Sequence, residues 1–266
     1  HTNDPGKALH EAMDYGSFVT VKIENMRLQH TEKVMSEKEL APKIAEPEKP
    51  VGVVTVCAGA GLAEVFSNLG VDGVISGGQT MNPSTQDILE VVNTVPAETV
   101  FVLPNNKNII MAAEQVNALT PKNVIVIPSK TVPQGVTAML SFNTEGSVEE
   151  NTEAMNEVLG TVDTMQITYA ARNSDFDGHD IHEGDYLAIY GSALFGTSRD
   201  IKVLLRALAE KVRDTGKEFI TIYYGQDIQE KHAKKAADLF RQICPNADVN
   251  LLPGGQPVYY YLISAE

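Results

Sequence analysis

Between Val51 and Ile127 the chain repeats one pattern: an apolar run rich in β-branched residues, a break carrying Gly or Asn, then a stretch with helical period. Val51 to Cys57 is a continuous β-branched run, the mark of a strand buried on both faces. It breaks at Ala58-Gly59-Ala60-Gly61 and leads into a helix with Leu62, Val65, Phe66 and Leu69 on one stripe. Val71 to Ile75 is the next strand, followed by the polar loop Ser76 to Thr85 and a helix with Ile88, Val91, Val92 and Val95 at i, i+3, i+4 and i+7. Val100 to Leu103 stops at Pro104-Asn105-Asn106, and Asn108 to Leu119, Val124 to Ile127 and Pro133 to Phe142 continue the alternation as helix, strand and helix. Strands alternating with helices at this spacing predict an α/β fold with a parallel, doubly wound sheet. In such a sheet the loops gather at the carboxyl ends of the strands, where ligands bind. Ser76, Gly77, Gly78, Gln79, Thr80, Asn82, Ser84, Asn105 and Asn106 are therefore the candidate ligand-binding residues.

The second half continues with an amphipathic helix, Glu149 to Leu159, strands at Thr164 to Ala171 and Tyr186 to Tyr190, and a turn-rich stretch between them. A long helix, Asp200 to Val212, is followed by Phe219 to Tyr223, the helix Gln229 to Ile243, Val249 to Leu252 and a closing strand, Val258 to Ile263. A weak echo joins the halves. Ile75-Ser76-Gly77-Gly78 precedes Ser84-Thr85-Gln86-Asp87-Ile88 much as Ile189-Tyr190-Gly191 precedes Thr197-Ser198-Arg199-Asp200-Ile201. Two related α/β subdomains, 51–145 and 146–266, each with a largely parallel sheet flanked by helices, account for the echo; chance similarity of two strand–helix–strand units is the alternative.

Residues 1–26 read as the end of a separate domain. Asp4-Pro5 starts a short helix, Pro5 lying near its first position, and Ser17 to Ile23 alternates as a strand. Residues 27–50 are charged, carry Pro42, Pro47 and Pro50, and form a semi-extended linker. The opening on His1 rather than Met reads as a cut through a larger protein.

The chain holds 35 acidic and 21 basic residues, a net charge of −14, which argues against nucleic acid as a partner. Ten of those charges fall between Thr144 and Tyr190, where eleven acids face Arg172 alone. Solubility is one explanation; steering of a basic partner is the other, with Glu149, Glu150, Glu153, Glu157, Asp175 and Asp177 as candidate contacts. No apolar run of about 18 residues is present, so no membrane span is expected. The polar start carries no signal-peptide pattern. Cys57 and Cys244 read as buried free thiols of a reducing cytoplasm.

Gly59-Ala60-Gly61 opening a helix either holds a phosphate on free amides or is a tight strand-to-helix turn. It lacks the third Gly of a dinucleotide fingerprint and the Lys of a P-loop. His179 and His182 fall on opposite faces of a strand, so no metal site is expected there.

Taken together, HTNDPGKAL, VKIENM, the GAG turn, SGGQTMNPST, LPNNKNI, VIPSKTVPQG and LPGGQPVYYYLIS resemble the kinase subunit of bacterial two-component fatty acid kinase, a dihydroxyacetone-kinase-related, DegV-domain-containing family. The resemblance runs nearly end to end. It implies an N-terminal domain, missing here, that binds ATP and magnesium, so this fragment holds no cofactor and is inactive alone. It implies a central domain that forms a homodimer and supplies catalytic Cys and His; His1 matches the second His of that motif, and neither Cys57 nor Cys244 matches the Cys. It further implies a C-terminal domain that docks a DegV-type fatty-acid-binding protein, whose fatty acid becomes an acyl phosphate. Ser76, Thr80 and Ser84 correspond in kind to the hydroxyls with which DegV-type proteins hold a carboxylate, and a stand-alone DegV-like lipid or small-ligand binder is the alternative reading.

Overall fold

The computed structural model describes residues 4–15, 44–78, 82–176 and 179–266. They belong to two units, His1–Lys43 and Ile44–Glu266. In the first, helix α1 (Pro5–Ala12) begins at Asp4, whose carboxylate accepts from Lys7 N at 3.0 Å, and Pro5 occupies the first turn, where its missing N–H costs nothing. A 3₁₀ turn, Met13–Tyr15, follows. The strand expected at Ser17 to Ile23 and most of the linker lie outside the described residues.

The second unit opens with β1 (Lys49–Cys57), α2 (Ala60–Asn68), β2 (Gly73–Ser76), α3 (Thr85–Thr94), β3 (Ala97–Leu103), α4 (Ile110–Val116), β4 (Asn123–Val126) and α5 (Val132–Ser141). The four strands form one sheet in the order β2-β1-β3-β4, every neighbour parallel. Along β1 alternate residues face opposite ways, as the pleat requires. Val54 and Val56 pack with Ile88, Val92, Ala113 and Val116 of α3 and α4. Val51, Val53 and Cys57 pack on the other side with Leu62 and Phe66 of α2 and with Ala138 and Met139 of α5. Both faces are covered, which is why the strand reads as an unbroken apolar run. At its entrance the buried Lys122 ammonium donates to the carbonyls of Ala45, Val95 and Ala97.

Helix α6 (Val148–Glu157) follows, begun by a reciprocal Ser147–Glu150 capping box, and its Met155 is buried with Phe101 and Leu103 of the first sheet. Then come β5 (Asp163–Tyr169), the hairpin β6 (Ser174–Phe176) and β7 (His179–Ile181), β8 (Tyr186–Tyr190), β9 (Ala193–Ser198), α7 (Ile201–Thr215), β10 (Phe219–Tyr224), α8 (Glu230–Ile243), β11 (Asp248–Pro253) and β12 (Tyr261–Ala265). The second sheet runs β11-β10-β12-β5-β8-β9. The parallel order expected of both lobes holds in the second only at β10–β11; its other neighbours are antiparallel. The echo is correspondingly partial. The succession α3-β3-α4-β4 is matched by α7-β10-α8-β11, each with its strand pair parallel, whereas the loop of the first half after β2 is replaced in the second by a hairpin to the edge strand β9.

Leu204, Leu205, Leu208 and Val212 of α7 and Ala233, Ala237 and Phe240 of α8 cover one face of the second sheet. On the other face Tyr223 and Leu262 join the core beneath α2 and α5, so the two sheets share an apolar layer. Each large side chain fully buried there contributes about 1.5–3 kcal/mol. Among the described residues no helix is long and apolar enough to cross a membrane.

Candidate functional site

In the strand order 2-1-3-4, the connections after β1 and β3 leave toward opposite sides, and this divergence opens a crevice beyond their carboxyl ends. A cavity of about 220 Å³ lies there. Cys57, Ser76, Gly77, Gly78, Asn105 and Asn106 line it from the first sheet; Gln166, Gln256, Pro257, Val258, Tyr259 and Leu262 line it from the second lobe. Five residues singled out from the sequence thus converge, although they come from two loops some 30 positions apart. None of the described lining residues is charged.

Asn105 is the pivot of the first wall. It adopts φ 54°, a left-handed conformation that Asn tolerates better than most residues. Its amide nitrogen donates to Thr55 Oγ1 at 2.8 Å and to the Val56 carbonyl at 2.9 Å, and its Oδ1 accepts from Ser129 Oγ at 2.8 Å. Its backbone N–H donates back to Ser129 Oγ at 3.1 Å. One side chain therefore ties the ends of β1 and β3 to the loop after β4, with both amide hydrogens committed and one acceptor position of Oδ1 left. Asn106 differs: its Oδ1 accepts from Asn108 N at 2.9 Å, but its amide N–H groups have no partner among the described residues. Burial pushes the Cys57 thiol up to about 12, which leaves it protonated and unreactive.

The second wall is the loop 254–259. Gly254 N and Gly255 N both donate to the Tyr224 carbonyl, at 3.0 and 3.1 Å, and Gln256 Nε2 donates to the Tyr223 carbonyl at 3.0 Å. Val258 is held at φ 69°, a conformation that a β-branched residue adopts only under constraint, while its carbonyl accepts from Thr168 Oγ1 at 2.9 Å. Gln256 is 3% exposed and its Oε1 has no hydrogen-bond partner. Such an orphan costs on the order of 1–3 kcal/mol. Sequence reasoning missed this wall. Its one local signal is Gly254-Gly255 followed by Pro257, which marks a turn but not what the turn faces.

The Gly59-Ala60-Gly61 segment is a strand-to-helix turn. The Gly254 carbonyl accepts from Leu62 N at 3.0 Å, so a protein oxygen occupies the start of α2 where a phosphate would sit. Asn82 and Ser84 stay exposed and do not line the cavity. Ser84 caps α3 instead: its hydroxyl accepts from Asp87 N at 3.2 Å and donates to Asp87 Oδ2 at 2.7 Å. His1, Gln79, Thr80 and Asp177 lie outside the described residues. Asp175 is placed only as a backbone position, paired with Asp180 in the β6–β7 hairpin.

The acidic run is not one surface. Glu149, Glu150, Glu153 and Glu157 are exposed on α6, but the Glu150 carboxylate accepts from Ser147 N at 2.8 Å. Asp185, counted in the run, is buried: it accepts from His182 N at 2.9 Å and from Arg199 Nε at 2.8 Å. Those bonds, the His182 N–H foremost, hold its carboxyl below the usual range. Among the described residues no cluster of His, Cys, Asp or Glu suits a metal ion.

Residues 52–266 match the C-terminal domain of the FakA-like fatty acid kinase family, and residues 1–33 match its middle domain. Protein YloV of Bacillus subtilis is 40% identical over the whole chain, and an uncharacterized protein of Staphylococcus aureus is 33% identical. The chain spans 48% of the length of each. Among solved structures, a DegV family protein of Corynebacterium glutamicum aligns over 81% of this chain and 96% of its own, with 16% identity and a TM-score of 0.60. The fatty acid kinase B3 protein of Streptococcus pneumoniae, loaded with linoleic acid, aligns over 82% and 99%, with 12% identity and a TM-score of 0.56. Dihydroxyacetone kinase of C. freundii aligns over 93% and 57%, with 11% identity and a TM-score of 0.51. The fold is shared with these three at low identity, whereas the family match runs through both lobes: the chain belongs to the FakA-like fatty acid kinase family and carries its C-terminal domain with part of its middle domain.

Proposed function

We propose that the chain is the partner-docking part of a fatty acid kinase, and that Ile44–Glu266 binds a DegV-type fatty-acid-binding protein for the full-length enzyme to act on. In that enzyme the γ-phosphoryl group passes from ATP to the carboxylate of the bound fatty acid, releasing ADP and an acyl phosphate. ATP and magnesium belong to the half of the full-length protein absent from this chain; the middle domain, to which His1 belongs, would carry dimerisation and the catalytic Cys and His. The match of residues 52–266 to the family's C-terminal domain carries the reading.

Helix α6 supports it. Glu149, Glu153 and Glu157 stand at i, i+4 and i+8, exposed on one stripe and without an ion-pair partner among the described residues. Like charges at that spacing cost about 0.2–0.5 kcal/mol per pair, and no cation among the described residues offsets it. A basic surface on another protein would. The test is calorimetric titration of this 266-residue chain with a DegV-type fatty-acid-binding protein at low salt and near 0.5 M salt. Association that weakens steeply with salt is expected; no association at low salt overturns the proposal.

A further inference from the structure

We infer that the tyrosine cluster of Tyr169, Tyr186 and Tyr260, with Asp227 beside it, receives a cationic side chain of the docked DegV-type protein. The inference rests on the docking reading and names a contact outside α6.

Tyr169 ends β5 and Tyr186 opens β8, and the two stand directly opposite in that antiparallel pair, so their side chains leave the same face of the sheet. Tyr260 joins them from the residue before β12, its N–H donating to the Ile167 carbonyl at 2.8 Å. Its ring centroid lies 5.3 Å from that of Tyr186 at 67° and 6.0 Å from that of Tyr169 at 54°. Rings so inclined do not stack face to face. The cluster also keeps surface toward solvent: Tyr169 is 43% exposed, and Tyr186 and Tyr260 are half-buried. Gly225 N donates to the Tyr260 carbonyl at 2.9 Å, which brings the loop carrying Asp227 alongside. Burial first, then Tyr186, Asp227 and Tyr169 as its neighbours, push the Tyr260 phenol up. Asp227 is exposed and has no ion-pair partner among the described residues.

Electron-rich ring faces beside an unpaired carboxylate attract a cation and repel an anion. The second lobe makes this contact internally once: at the other end of β8, Lys211 Nζ lies 5.8 Å from the centroid of the Tyr190 ring. Among the described residues no Lys or Arg stands over the Tyr169, Tyr186 or Tyr260 ring. Arg199 follows Ser198, the residue paired with Tyr186, but its guanidinium is committed to Asp185 at 2.8 Å. Apart from Asp185, the sequence between Tyr169 and Tyr186 holds Asp175, Asp177, Asp180 and Glu183 against Arg172 alone. The charge around the cluster therefore draws in a basic surface, and a Lys or Arg projecting from it would meet the rings. Tyrosine and arginine are also among the residue types that dominate the energy of protein interfaces.

The test titrates the intact 266-residue chain and three variants with a DegV-type fatty-acid-binding protein at low salt, by calorimetry. Tyr169→Leu keeps apolar bulk but removes the ring, and is expected to weaken binding about tenfold, the scale of a desolvated cation–π contact. Tyr169→Phe keeps a ring face and is expected to stay within about twofold of the parent. Asp227→Asn, which keeps shape and removes charge, is expected to weaken binding about fivefold. It decides the matter should Tyr169→Leu lose its cooperative melt. Parent-like binding by the Leu variant, or by the Asn variant where that one decides, overturns the inference and leaves docking standing. So does a loss in Tyr169→Phe as large as in Tyr169→Leu, which would assign the contact to the hydroxyl. No association by the parent overturns the docking reading and this inference with it.

Discussion

Gly135 lies so close to Asn105 that a Cβ placed on it would stand 2.0 Å from Asn105 Oδ1. Glycine inside a helix costs about 0.5–1 kcal/mol relative to alanine, so α5 carries a penalty that only this approach explains. The Asn105 amide cannot swing aside, because Thr55, Val56 and Ser129 all hold it. Gly135→Ala should therefore lose about 1–3 kcal/mol in urea unfolding despite its better helix propensity. In an Asn105→Gly background, which keeps the left-handed backbone but removes the amide, the same substitution should be neutral or stabilising. A double-mutant cycle with coupling near zero would show that the pair does not act as a unit.

A second close approach joins the lobes. A Cβ on Gly61 would meet the Pro253 carbonyl oxygen at 1.7 Å, a backbone atom with no rotamer to escape into. Gly61→Ala should destabilise the unit by about 3 kcal/mol, at the upper end of overpacking costs. Gly160 provides the comparison: nothing lies within 4 Å of a Cβ there. Gly160→Ala should be neutral or gain about 0.4–1 kcal/mol by restricting the unfolded chain. Similar thermal midpoints for the two variants would refute the claim that the GAG turn is a packing site.

These contacts mark the boundary of what the amino-acid order discloses. β1 and β3 were legible because strands buried on both faces must be apolar throughout, and α3 because Ile88, Val91, Val92 and Val95 recur at the helical period. β9 was not, since Ala193 to Ser198 is an edge strand whose residues are exposed or half-buried and carry no alternation. The antiparallel order of the second sheet was hidden for a related reason: pairing direction depends on which strands meet, and β12 enters between β10 and β5 from the far end of the chain. The site was half legible. Ser76 to Gly78 and Asn105-Asn106 follow strands and carry turn chemistry, whereas Gln256 gains its meaning from Tyr223, 33 residues away.

Asp185 makes a prediction about acid. Its carboxyl is held low, chiefly by the His182 N–H and then by Arg199, so the folded state favours its ionised form. A depressed folded-state pKa contributes stability that is complete above the unfolded carboxylate value of about 3.9 and is lost as the pH falls through the folded value. Asp185→Asn should be less stable than the parent at neutral pH, and the gap should close below about pH 4. Thermal midpoints recorded across that range check it; a constant gap from pH 7 down to pH 3 would rule out Asp185 as a source of acid sensitivity.

The stripe on α6 separates docking from folding. Glu150 is unsuitable for testing partner contact, because its carboxylate closes the capping box with Ser147 and charge reversal would fray the helix. Glu149, Glu153 and Glu157 have no such role. Replacing all three by Lys exchanges one like-charge stripe for another, so the helix should keep its stability within about 0.5 kcal/mol, the usual range for surface substitutions. If a basic surface on a DegV-type protein docks here, the triple variant should bind at least tenfold more weakly at low salt, chiefly through a slower association rate. Since screening removes the same attraction, parent and variant should converge as salt approaches 0.5 M. Association kinetics for both proteins at three salt concentrations would measure this directly. Undiminished binding by the variant would move the contact off α6 while leaving the family assignment untouched, because that assignment rests on residues throughout 52–266.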